Sequence, residues 1–389
     1  MSQQGRDVVI VEAVRTPVGR GHIEKGYYKD VHPADLLGKT LSEVIARAGI
    51  EASEVEDVVT GCVQQFGEQG FNIGRNAWLQ EGLPIETPAT TLDRQCGSAQ
   101  QAVNFGAALI ASGVHDCVIG CGVEHMGHIP FSAGMKTQQD FGAAFTPKLM
   151  DKYNIVGQGL GAEMIADEYE IPRSELDELA VRSHALAHKA TEEGRFEREI
   201  VPFQVNGDTY VTDQGIRPGT SLEALSQLKP AFKPDGKITA GNSSQISDGA
   251  ASVLLMAREK AEALGLRPRA RILDQTTVGC DPVKMLEGPI PATAKLLERN
   301  NMKMSDIDLT EINEAFAPVV AAWAREHHPD MDTVNVRGGA MALGHALGST
   351  GARLITTLLH TLEDEDKEIG LVTMCCGGGL GTGTLIQRI

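Results

Sequence analysis

The chain has 389 residues and a formal net charge of −17, with an isoelectric point near 5.1. That balance argues against a general nucleic-acid binder, which needs a basic surface, but leaves room for a local basic pocket around an anionic ligand. No run reaches the ~18 apolar residues of a membrane helix, and the polar start at Met1 to Asp7 carries no secretion signal.

At this length two or more lobes are expected. Aromatics are only 4% of residues, so the core must rest on Ala, Val, Ile and Leu, as in parallel strands covered by helices. Seven cysteines, an odd number spread over a large chain, point to free thiols in a reducing cytoplasm.

Val8 to Glu12 reads as a buried strand, and Ala34 to Ala48 as a helix with Leu37, Leu41, Val44 and Ala48 on one face. Val58 to Val63 is a second strand, Asn72 to Leu79 a helix, and Thr90 to Asp93 a third strand. That strand turns at Cys96-Gly97-Ser98 into a helix through Ala111. Asp116 to Gly122 is a fourth strand. Strands alternating with helices of this length give an α/β fold with a parallel sheet. Met126 to Gln158 is loop-like, Pro172 to Glu193 is a helix, and Gly207 to Thr220 is a hairpin and loop. This middle stretch reads as an insertion lying over a site.

A second α/β run follows. Gly249 to Ala257 is helix or strand, and Ala270 to Leu273 is a strand. Pro291 to Asn300 is a helix, Leu309 to Asn313 a strand, Phe316 to His327 a helix and Val334 to Val336 a short strand. Gly338 to Gly351 is a Gly-rich turn into a helix through Leu362. Gly370 to Cys375 and Thr382 to Arg388 are strands. Each half thus places a reactive residue at the start of a helix, Cys96 in one and His345 in the other. A structural duplication follows as a hypothesis, without a sequence repeat to support it.

Several residues have chemistry to offer. Cys96 stands at a helix N-terminus, where free N–H groups and the dipole favour a thiolate; a buried apolar Cys is the competing reading. His345, among glycines before a helix, could be a base or an oxyanion donor, or simply a packed His. The glycines after Cys375-Cys376 suit backbone N–H groups turned towards an anionic oxygen. They do not form a Gly-x-Gly-x-x-Gly strand-to-helix turn, so a dinucleotide site is poorly supported. No second Cys pair or His cluster has metal spacing. His184 and His188 read as an exposed helix face. Asn313 at a strand end can fix a water, or cap a helix.

Taken together, these segments resemble the thiolase family, the acetyl- or acyl-CoA C-acyltransferases, over the whole chain. The matching runs are Val14 to Arg20, Asp93 to Ser98, Gly241 to Ser244 with Ser247 to Ala250, Asn313 to Phe316, Gly344 to Gly351, and Cys375 to Gly379. The resemblance implies a five-layered αβαβα fold. Its N-terminal half would take 1–122 and 245–269, its CoA-binding loop domain 123–244, and its C-terminal half 270–389.

The resemblance also implies roles. Cys96 would be the nucleophile and Cys375 the acid/base. His345 would activate Cys96 and donate to one oxyanion, beside a water held by Asn313. The N–H groups of Cys96 and Gly377 would form the other oxyanion hole. Ala240, Ser244 and Phe316 would line the pantetheine tunnel, and Arg217 would meet the nucleotide. Acyl-CoA and coenzyme A would be the substrates, with no metal or redox cofactor, no nucleic acid and no membrane. A cytoplasmic homodimer or homotetramer is expected.

Two departures stand out: Ala346 follows His345 where the family usually has Pro, and the stretch Val156-Gly157-Gln158-Gly159 lacks the His of the short-chain biosynthetic branch. The second leans towards a degradative 3-oxoacyl-CoA thiolase over a biosynthetic acetoacetyl-CoA thiolase. The runs Gln245 to Ala250 and Phe66 to Gly70 resemble the actinobacterial lipid- and steroid-degrading branch. Condensing-enzyme chemistry on a carrier protein, a catalytically dead relative and a dinucleotide-binding module are the rivals. Retention of Cys96, His345 and Cys375 argues against the first two.

Overall fold

A computed structural model describes residues 5–389, so the first four residues of the polar start lie outside the described residues. Its strands are β1 (Val8–Arg15), β2 (Gly19–Arg20), β3 (Asp57–Gly61), β4 (Ala89–Leu92), β5 (Cys117–His125), β6 (Phe203–Val205), β7 (Asp208–Tyr210), β8 (Ser247–Ala257), β9 (Ala270–Gly279), β10 (Leu309–Ile312), β11 (Ile369–Cys376) and β12 (Leu380–Arg388). The large sheet runs β10-β11-β12-β9-β1-β8-β5-β3-β4, with β2 on β8.

The two halves repeat one pairing plan. In the first, β3 lies parallel between β4 and β5, β5 is antiparallel to β8, and β8 is antiparallel to β1. In the second, β10 is parallel to β11 and to a single bridge at Val334. There β11 is antiparallel to β12, and β12 is antiparallel to β9. The halves join where β1 meets β9, at Val9/Arg271 and Ile10/Ala270. The duplication expected from the sequence is therefore present as topology.

Alternation along the strands builds the layers, because successive side chains point to opposite faces. Ile10, Leu255, Val372 and Ile386 face a shared central core with Val103 of helix Ser98–Ala111 and Leu358 of helix Thr350–Asp364. Their neighbours Val9 and Leu254 face outward onto helix Pro33–Ala48. Leu371 and Leu385 face outward onto helices Pro289–Arg299 and Ala317–His327, through Leu296 and Trp323. Helix, sheet, helix pair, sheet and helix give the five layers. Both central strands β5 and β8 are buried along their whole length, which explains their unbroken apolar character.

Some boundaries differ from the sequence reading. Strand β5 does not stop at Gly122 but continues through Val123-Glu124-His125, and Ser247–Ala257 is one strand. The insertion thus leaves the sheet after His125 and returns at Ser247. Its opening stretch holds two short helices, Ala133–Phe141 and Pro147–Lys152. Val334 to Val336 is a bridge and not a strand, and the Gly-rich turn includes a four-residue helix, Ala340–Leu343.

The insertion is fastened to the first half by Arg15 at the end of β1. Its guanidinium, fully buried, meets Glu199 at 2.6 Å and Asp213 at 2.7 Å. Asp213 also accepts the Val18 N–H, and the Thr357 hydroxyl donates to Glu199.

Candidate active site

Cys96 sits between β4 and helix Ser98–Ala111, in a turn that the local sequence ties down. Gln95 takes a left-handed φ of 52°. The Ser98 hydroxyl donates to the Gln95 carbonyl at 2.6 Å and accepts the Arg94 N–H at 2.9 Å. Burial pushes the Cys96 thiol up to about 11, while the Gly377 N–H, its own N–H and the Gln158 side chain pull it down. The helix terminus therefore does not yield a standing thiolate, as the sequence suggested; desolvation is the larger effect. A base must take the proton as the sulfur reacts.

His345 holds an imidazole in the neighbouring loop. Its N–H donates towards Ser247 Oγ at 3.1 Å, and its Nδ1 lies 2.7 Å from Thr350 Oγ1. The Thr350 hydroxyl donates to the Ala346 carbonyl at 2.8 Å, so the network assigns the proton to Nδ1 and leaves Nε2 as the acceptor. Asn313 Nδ2 points at Nε2 from 3.3 Å. Burial first, and the Arg353 charge second, push the imidazole down to about 3, so at neutral pH it is an uncharged base. The Asn313 Oδ1 is buried without a protein partner among the described residues.

The two reactive turns are brought together by the central helices. At Gly351 a side chain would run into Gln100, so the first turn of one helix lies directly on that of the other. Glu124, at the end of β5, adds a clamp. Its carboxylate accepts the N–H groups of Val63, Gln64 and Gly348, the last from the His345 loop at 2.9 Å. No hydrogen bond joins Cys96 to His345 among the described residues. Sequence reasoning missed Glu124, although an acid within an apolar strand was the visible signal.

The Ala346 backbone works through its carbonyl, which accepts from the Ser349 and Thr350 N–H groups. A proline there would leave those bonds intact. Ala346→Pro is expected to change kcat/KM only severalfold, measured side by side with the parent chain.

Cys375 and Cys376 end β11 and point to opposite sides, as alternation requires. Cys376 faces Gly97, where a Cβ would stand 2.6 Å from its Sγ and 2.9 Å from Thr382. Cys375 joins an apolar cluster with Ala162, Ile165, Ala315 and Met341. Burial, then the nearby Cys96 and Cys376, holds the Cys375 thiol well above its ordinary value. Both thiols are free.

Arg217, Ala240 and Ser244 share one cleft of about 500 Å³ with Arg20, His22 and Lys25. A cationic cleft on so acidic a chain suits an anionic ligand. Clefts of about 700 and 910 Å³ elsewhere contain none of these side chains. Phe316 stands beside the cleft: Ser243 bridges to it, and the Ser244 N–H donates to the Ala315 carbonyl at 3.0 Å. His184, expected on an exposed face, is buried instead and accepts the Arg217 N–H at 3.1 Å, supporting that loop.

The site thus sets out a thiol, a neutral base, backbone N–H donors and a second thiol, the parts needed to carry an acyl group on sulfur. Comparison with known proteins agrees with this chemistry. Residues 8–259 match the family model "Thiolase, N-terminal domain" and residues 266–388 match "Thiolase, C-terminal domain". The chain is 45% identical to the 3-ketoacyl-CoA thiolase of Vibrio parahaemolyticus, with all of both chains covered. It is 42% identical to the steroid 3-ketoacyl-CoA thiolase FadA6 of Mycobacterium tuberculosis, covering 98% of this chain and 94% of that relative. The crystal structure of the Bacillus anthracis acetyl-CoA acetyltransferase superposes with a TM-score of 0.91 at 37% identity, covering 100% of each chain.

Proposed function

Because the chain belongs to the thiolase family, we propose that it cleaves 3-oxoacyl-CoA with coenzyme A to give acetyl-CoA or propionyl-CoA and a shortened acyl-CoA, reversibly by Claisen condensation. It is an acyl-CoA acyltransferase. The observation that supports the reading is that the turns carrying Cys96 and His345 lead into the two central helices whose first turns touch, Gly351 against Gln100. Full-length likeness to 3-ketoacyl-CoA thiolases, the steroid enzyme among them, supports a place in fatty-acid or sterol-type lipid degradation.

The steps follow from the chain's own groups. Cys96 loses its proton to neutral His345 as the sulfur attacks the 3-oxo carbon. The new oxyanion lies under backbone N–H groups of Cys96 and Gly377, each donor worth about 3–4 kcal/mol in the transition state. The carbon–carbon bond breaks, the acyl group stays on Cys96, and Cys375 protonates the departing enolate. Coenzyme A gives its thiol proton to the Cys375 thiolate as it attacks the thioester, and the expelled Cys96 thiolate takes back the proton held by His345. The thioester itself acidifies the α-carbon, so the scheme calls for no metal or redox group, and coenzyme A is a substrate. Arg217, with Ala240, Ser244 and Phe316, would hold its nucleotide and pantetheine.

Cys376→Ala should keep most thiolysis, whereas Cys375→Ala should lose nearly all of it, because only Cys375 faces away from the central layer towards the insertion. Equal losses in the two variants would contradict the assignment. A cytoplasmic homodimer or homotetramer is the proposed form. Strand β4 is the open edge of the sheet, and Phe71 at 98% and Ile85 at 71% exposure flank the helix packed beside it. Among the described residues no helix is long and apolar enough to cross a membrane.

The test is CoA-dependent cleavage of acetoacetyl-CoA and of longer 3-oxoacyl-CoA esters. Cleavage of the longer esters at least as fast as acetoacetyl-CoA is expected. Activity confined to acetoacetyl-CoA would favour the biosynthetic alternative, and no cleavage of any ester would overturn the reading.

A further inference from the structure

We propose that Arg20, His22 and Lys25, at the end of β2 and in the loop that follows it, hold the phosphate groups of coenzyme A opposite Arg217. The proposal rests on the thiolase reading and deepens it. It gives the first half of the chain a share in binding a substrate otherwise assigned to the insertion.

The cleft of about 500 Å³ is lined by these three side chains and Arg217, with Ser244 and Gln245 beside them, and no carboxylate lines it. Arg20, Lys25 and Arg217 are exposed. Among the described residues none of the three forms an ion pair or a side-chain hydrogen bond. The arginines of the 700 Å³ cleft differ: Arg198, Arg269 and Arg388 each meet an acidic partner. On a chain of net charge −17, uncommitted cations gathered without an acid suit an anion.

Both walls of the cleft are held in place. Arg20 pairs with Ser247 across β2 and β8, and the Gly21 N–H donates to the Ile246 carbonyl at 2.9 Å. Gln214 of the insertion ties the rest of the loop. Its Oε1 accepts the Arg20 N–H at 2.8 Å and the Tyr27 N–H at 3.0 Å, and its Nε2 donates to the Lys25 carbonyl at 2.7 Å. On the facing wall Asp213 accepts from Arg15 at 2.7 Å, Gln245 Nε2 donates to the Gly215 carbonyl at 2.9 Å, and the Arg217 N–H donates to His184 at 3.1 Å. Backbones fixed on both sides reduce the ordering cost when an anion settles between them.

Each group suits a phosphate in its own way. Arginine offers a fork of N–H donors to phosphate oxygens, and lysine a compact charge. His22 Nδ1 accepts the Glu24 N–H at 3.1 Å, so Nε2 carries the proton and is the donor. Coenzyme A brings a pyrophosphate and a 3′-phosphate, and pantetheine brings neither. Ser244 opens into this same cleft, so a coenzyme A whose pantetheine passes Ser244 leaves its phosphates among these side chains.

Calorimetric titration with coenzyme A and with pantetheine, at low and high salt, tests this. The parent is compared with the double variant Arg20→Gln, Lys25→Gln and with the charge-keeping Arg20→Lys, Lys25→Arg. Loss of two exposed cations should weaken coenzyme A binding about three- to tenfold at low salt, and the gap should narrow at high salt. The charge-keeping variant should stay near the parent, and pantetheine should bind all three chains alike. Equal coenzyme A affinity in the parent and the glutamine variant, or equal weakening for pantetheine, would overturn the proposal. So would inorganic pyrophosphate binding as tightly as coenzyme A, since the site would then serve free phosphate. Cleavage of 3-oxoacyl-CoA by the parent is scored separately, so the proposal can fail while the thiolase reading stands. A parent that neither binds coenzyme A nor cleaves its esters would sink both.

Discussion

His345→Ala is expected to reduce kcat/KM for thiolysis by at least about 10²–10³, the loss that follows removal of one donor or base from a dry site. The imidazole is nearly inaccessible, at 3% exposure, and both of its nitrogens are engaged within the protein. With the Cys96 thiol held near 11, its reaction calls for a base, and the buried imidazole, pushed down to about 3, is uncharged at working pH. Removing the ring also leaves Asn313 Nδ2 and the Thr350 hydroxyl without their shared partner. Asn313→Ala should be intermediate, because it removes a group that orients the base and not the base itself. A steady-state comparison of the two variants checks the order. Near-normal thiolysis by His345→Ala would mean that another residue takes the proton.

Arg15→Met is expected to cost about 3–5 kcal/mol of stability, the usual penalty for stripping one partner from a buried ion pair. Glu199 and Asp213 would both be left as buried, uncompensated carboxylates, and Glu199 already has one oxygen without a partner. The insertion would lose its main fastening to β1, since Asp213 also orders the Val18 N–H. Urea unfolding would show this as a lowered midpoint. Arg15→Lys should recover only part of it, because an ammonium cannot span two carboxylates as a guanidinium does. An unchanged midpoint in Arg15→Met would mean that the pair contributes nothing net.

What the sequence disclosed depended on range. Apolar runs are a local pattern and marked β1 and β11 as strands, but the run at Gly249 to Ala257 read as helix or strand, and only its pairing with β1 and β5 makes it the strand β8. The turn at Cys96 and the loop at His345 carry local signals too, a reactive side chain next to glycines before a helix. Long-range terms were hidden. The helix terminus at Cys96 suggested a lowered thiol, but burial by residues far along the chain outweighs it. His184 and His188 share a helical spacing that reads as exposed. The loop carrying Arg217, folded back over 33 positions, meets His184, which is buried. Gln158 attracted notice for the histidine absent from its stretch, and its approach to Gly377 depends on how the insertion folds over the second half.

The most direct measurement of the central claim is acyl transfer to the enzyme itself. The protein is mixed with acetyl-CoA, quenched and digested, and its cysteine peptides are weighed. The acetyl group should appear on the peptide that contains Cys96, and should be absent from it in Cys96→Ser. Acetyl found on Cys375 or Cys376, with none on Cys96, would contradict the account.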